Sequence, residues 1–133
     1  MQEGRERNSS AEGDLRTLCS TLHLDAPVVR RFVGDYLRLL QFRLDRIERD
    51  LAGGDIPAVV VGLLSLGTSS SMLGATGVVE AADDLRLHAS SGDLSAIDAG
   101  RASLVAQVRC AEARLTRILN SPESEGVGAV VRP

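Results

Sequence analysis

The chain is predicted to be all-α, an antiparallel up-down four-helix bundle with a short extra helix at its N-terminus. Three observations carry this. Over four long segments, apolar residues recur at steps of three and four, the spacing of one helical face. Two segments open on Asp with Pro two residues later, Asp25-Ala26-Pro27 and Asp55-Ile56-Pro57, so Pro sits in the first turn where its missing N–H costs nothing. The connections GGD, LGA and SGD are short and carry Gly, which makes successive helices antiparallel neighbours. No strand-like alternation stands out, and none of the four Pro falls inside a long periodic segment.

Residues 1–12 are polar and are expected to form a disordered tail, with the helical domain over 13–120 and a flexible tail over 121–133. Asp14 is the candidate N-cap of a short first helix carrying Leu15, Leu18, Cys19 and Leu22 on one side. The second helix runs from Asp25 to about Ala52 and stops at Gly53-Gly54. Its inner stripe is Val29, Val33, Tyr36, Leu40, Leu44, Ile47 and Leu51, widened by Leu37. Arg31, Arg38 and Arg49 lie opposite among Asp35 and Asp45, an ordinary solvated face with i,i+4 pairs. Phe42 projects from that polar side and so packs under the first helix, lies exposed or meets another protein.

In the third helix Val59, Leu63, Leu66, Ser70 and Leu73 face the core. Gly62 and Ser69 share that side and let a neighbouring helix approach. Pro57, Val60, Val61, Leu64, Thr68 and Ser71 point the other way, and the first half of this outer face is aliphatic where a polar face is the rule. Gly74 ends the helix, and Ala75 or Thr76 opens the next. That fourth helix has Val78, Ala82, Leu85 and Ala89 inside and ends near Ser91-Gly92. Asp93 or Ser95 caps the last helix, which runs to about Leu119. Its stripe is Ile97, Leu104, Val108, Ala111, Leu115 and Ile118, with Arg101 snorkelling at one end.

Composition excludes several functions. The 133 residues suggest one domain, and 44% hydrophobic with 25% charged residues suits a soluble one. All fifteen basic residues are Arg, so no Lys is available for a Schiff base or a P-loop. A net charge of −3 with 2% aromatic residues argues against nucleic acid as a partner. No apolar run approaches the roughly 20 residues that span a bilayer, and MQEGRERNSS is too polar for a secretory signal, so the expected location is the cytoplasm, with no membrane contact. Cys19 and Cys110 have no metal-ligand spacing and read as free thiols. No metal or cofactor is expected.

The phrase Leu66, Thr68, Ser69, Ser70 and Leu73-Gly74-Ala75 resembles the central helix of the histidine phosphotransfer (HPt) domain. That family consists of four-helix bundles from bacterial two-component phosphorelays. The likeness extends over residues 14–119: FVGDYLRLLQFRLDRIERDLAGGD is similar to the family's second helix, and ASSGD precedes its last one. In the family an exposed His on the third helix accepts a phosphoryl group, and a Lys three residues later adds positive charge. Here Leu64 stands at the His position, Gly67 at the Lys position and Thr68 at that of the motif's Gly. An aliphatic side chain is no nucleophile, so no catalytic residue is carried over.

What the resemblance implies is a pseudo-HPt domain. Such a domain docks on the receiver domain of a response regulator or on a hybrid histidine kinase without accepting phosphate. The candidate partner-binding residues are Val60, Val61, Leu64, Gly67, Thr68 and Ser71. Two other readings stand beside it. One is an active phosphotransfer protein using His88 or His23, neither of which has neighbours forming a nucleophile, metal or acid–base constellation. The other is a helical homodimer seamed by the outer patch of the third helix with Leu39 and Phe42. Asp83-Asp84 and Glu123/Glu125 imply no pocket. Ser69-Ser70-Ser71 reads as small residues packing at a helix end rather than as nucleophiles.

Overall fold

The computed structural model describes residues 13–120; the expected tails at 1–12 and 121–133, including Glu123 and Glu125, lie outside them. The described residues are helical, with no strand among them. We number the helices α1 (13–22), α2 (Ala26–Ala52), α3 (Ile56–Met72), α4 (Thr76–Ser91) and α5 (Leu94–Leu119). None is long and apolar enough to cross a membrane. Cys19 and Cys110 form no disulfide.

Local chemistry explains the helix ends. The Asp55 carboxylate accepts a hydrogen bond from the Ala58 backbone N–H at 3.2 Å and caps α3, with Pro57 in the first turn. Asp93 rather than Ser95 caps α5, its Oδ1 accepting from the Ser95 and Ala96 amides. Asp14 departs from its expected role. It lies within the described part of α1 rather than before it, and its carboxylate faces Arg114 at 3.6 Å. At the end of α3 the Ala75 amide donates to the Ser70 carbonyl and the Gly74 amide to the Ser71 carbonyl. This closure puts Gly74 at φ +71, a left-handed conformation that penalises any residue with a Cβ.

Two compact units divide the chain, and each has its own internal contacts. Among the described residues, one comprises 13–35 together with 113–120. Within it Leu15, Leu18, Val29, Val33, Leu115 and Ile118 are buried. Arg30 there donates to the carbonyls of Ile118 (3.0 Å) and Leu119, satisfying oxygens that the end of α5 leaves without helical donors.

The second unit, Tyr36–Glu112, holds the central helices. Tyr36 meets Ser70 through a 2.6 Å hydroxyl–hydroxyl hydrogen bond, and Ile47 lies over Gly62, so the paired stretches of α2 and α3 run in opposite directions. A Cβ on Gly62 would come within 3.0 Å of Ile47 Cγ1, which accounts for the small residue. α3 packs along α4. Against α4, the α5 backbone comes close at Gly100, where a Cβ would stand 3.2 Å from Leu85 Cδ1 and 3.4 Å from His88 Cδ2. The expected inner residues of α3 and α4 are all buried, and Ala81 joins them. Leu51 and Ile97, at the ends of their stripes, are only half-buried. Arg101 bonds Glu48 at 3.0 Å and Asp98 at 3.4 Å; these bonds, Glu48 first, raise its pKa further above its already high ordinary value.

Candidate functional site

α3 is the most apolar of the helices, yet one of its faces is left open. Val61 is 67% exposed and Leu64 53% exposed on this face, in the middle of the helix where a bundle exterior is normally polar. Its flanks are two open grooves, so the residues expected to form one patch are divided between them.

Leu64, Gly67, Thr68 and Ser71 line the groove between α3 and α4, about 540 Å³ in volume, together with Met72, Val79, Glu80, Asp83 and Arg86. Val61 lines the other groove, about 670 Å³, between α2 and α3, and shares it with Leu39 and Phe42. Val60 is half-buried and borders neither. Leu39 and Phe42 therefore flank the opposite side of α3 from Leu64. Phe42 is exposed, which leaves it free to meet another protein.

The Thr68 hydroxyl donates to the Leu64 carbonyl at 3.0 Å, so this side chain is turned back onto its own helix. Arg86 stands on the far wall of the α3–α4 groove. Its Nη2 is 2.6 Å from Asp83 Oδ1, and its buried Nε has no hydrogen-bond acceptor. The groove thus combines an aliphatic ridge with the Arg86–Asp83 ion pair and a second carboxylate, Glu80, beside it.

Gly67 is informative because nothing in the chain requires it. A Cβ at this position meets no atom within 4 Å, and the residue lies in mid-helix, where Gly costs about 0.5–1 kcal/mol relative to Ala. Gly67→Ala is expected to stabilise the fold by about that amount in urea unfolding. Equal or lower stability would mean that the glycine serves packing after all.

The three serines have separate surroundings. Ser70 is fully buried and bonded to Tyr36. Ser69 Oγ accepts from Arg43 Nη1 at 2.8 Å and donates to the Ser65 carbonyl at 3.2 Å, so besides its small size it anchors an Arg of α2. Ser71 is exposed and lines the α3–α4 groove. No base stands in this set. His88 lies against Gly100 on the side facing α5, and His23 ends α1 at φ +57, with the Leu24 amide donating to the Cys19 carbonyl. His23 therefore occupies the left-handed position where a Gly commonly ends a helix. Neither His lines either groove. Among the described residues, no three His, Cys, Asp or Glu stand close enough to hold a metal ion.

Sequence reasoning missed Arg86 and Arg43. Each is one Arg among fifteen with nothing local to mark it, and each acts through a residue on another helix or another turn. No family model matches the chain, and no curated protein or solved structure matches it.

Proposed function

We propose that this chain is a pseudo-HPt docking domain. On this reading α2 to α5 form an antiparallel up-down four-helix bundle with α1 as an extra N-terminal helix. It binds the receiver domain of a response regulator or of a hybrid histidine kinase and does not accept phosphate. The observation that carries the reading is the exposed ridge of α3, with Leu64 at its centre and a mid-helix Gly67 that no internal neighbour demands. An aliphatic ridge beside a bare stretch of backbone suits the burial of a partner's side chains, because each aliphatic group removed from water contributes about 1.5–3 kcal/mol before the costs of association.

Support also comes from the phrase that carries the likeness. Ser70 and Leu73-Gly74-Ala75 serve the fold here, through the Tyr36 hydrogen bond and the left-handed turn at Gly74. The frame of the motif is thus kept for structural reasons even though its nucleophile is absent.

Restoring the missing imidazole tests this. Leu64→His is expected to gain one phosphoryl group at residue 64 when incubated with a phosphorylated receiver domain, read by intact mass and fragmentation. The native chain is expected to gain none. A Leu64→His chain that stays unmodified across a panel of receivers overturns the reading. Modification of the native chain at His88 or His23 replaces it with an active phosphotransfer protein.

A further inference from the structure

From the α2–α3 groove we infer that a second copy of this chain docks there, forming a two-fold dimer on the side of α3 away from Leu64. The groove presents both halves of a self-complementary contact. Leu39 and Phe42, 45% and 57% exposed, project from α2 as knobs. Pro57, Ala58 and Gly62 line the first turns of α3 with low side chains and form the hollow. A surface carrying both knob and hollow fits a copy of itself turned by 180°, the commonest way for identical chains to pair.

The charges point to the same occupant. Along α2 the groove is bordered first by Arg43 and Arg46 and then by Asp50, with Asp55 beyond. Two positive charges lie at one end and two negative ones at the other, and they sum to zero. Residues 39, 42, 43, 46 and 50 follow one another at steps of three, one, three and four, which keeps them on one helical face. A two-fold axis midway between Arg46 and Asp50 sets each Arg46 against the Asp50 of the other copy. Phe42 then lies about 9 Å from the axis along the helix. It falls opposite the turn that leads to Pro57, which is where the hollow begins. A partner of uniform charge would be repelled at one end of this groove, whereas a second copy is matched at both.

The dimer leaves Leu64, Gly67, Thr68 and Ser71 open and so does not depend on the docking function proposed above. Its test is mass in solution by sedimentation equilibrium from micromolar to millimolar concentration, with circular dichroism to verify folding. The native chain is expected to pass from 14.1 kDa to twice that value. Arg46→Glu and Asp50→Arg each place like charges opposite one another twice, so each alone is expected to dimerise about tenfold or more weakly than the native chain. Mixed in equal amounts, the two variants are expected to pair with each other as tightly as the native chain does with itself. Phe42→Ser is expected to remain monomeric while staying helical, and Leu64→Asp to dimerise as the native chain does. A native mass that stays at 14.1 kDa throughout overturns the inference and leaves the groove to a different kind of partner. Dimers that persist unweakened in both charge variants overturn it as well, because they must form through another face.

Discussion

If α3 docks on a receiver domain as proposed, Leu64→Asp is expected to abolish that docking and to leave the fold intact. Leu64 is already half in water in the free protein, so removing it takes little from the core. Asp in place of Leu within a helix costs only a few tenths of a kcal/mol through intrinsic propensity. In the complex the loss is larger. The contact forfeits about 1.5–3 kcal/mol of aliphatic burial. It must also strip water from a carboxylate beside Glu80 and Asp83, which adds about 1–3 kcal/mol or more. Together these come to about 2.5–6 kcal/mol, roughly sixtyfold or more in affinity. Titration calorimetry against the receiver that binds the native chain, alongside thermal unfolding, checks both halves. Binding that survives the substitution removes α3 as the docking surface. A large fall in unfolding temperature would show that Leu64 supports the fold instead.

Leu85→Ala is the most damaging of the single changes considered for stability, with an expected cost of about 2–5 kcal/mol. Leu85 is fully buried on α4, and its Cδ1 and Cα border the space above Gly100 of α5. That backbone is held by its neighbours, so the site closes poorly around the missing methyls and a cavity remains. Leu87, two residues on, is 54% exposed, and Leu87→Ala should change stability by no more than about 0.5 kcal/mol. Urea unfolding of the two variants reads the contrast. Equal losses would mean that α4 is rotated about its axis from the orientation described here.

The Leu85–Leu87 pair illustrates how far periodicity alone reaches. Steps of three and four from Val78 through Ala82 select Leu85 and Ala89 as inward and leave Leu87 outside, and burial follows that division. The same rule picks Val59, Leu63, Leu66 and Ser70 on α3, because a 3.6-residue repeat determines which side chains share a face wherever a helix forms. Boundaries were legible for an equally local reason. Asp55 with Pro57, and Gly74 after Leu73, satisfy or close a helix terminus with atoms only a few residues away. Where the rule fell short, as at Asp14, the carboxylate has a distant partner, Arg114, that no local pattern reveals.

The candidate site was legible as a list of residues but not as a surface. Val60, Val61 and Leu64 all fall on the outer side of α3 by angle, yet only Leu64 belongs to the α3–α4 groove, Val61 belongs to the α2–α3 groove, and Val60 is half-covered. The sequence by itself determined the all-helical class, the helix ends from α2 onward and the middle of each inward stripe, because each depends on residues within a turn or two. Only the tertiary structure decided which helix flanks each edge of α3, that Arg86 stands beside Leu64 and that Arg43 reaches Ser69. Those two pairs join residues 22 and 26 positions apart, and exposure there depends on what the neighbouring helix covers, which no period within one helix encodes.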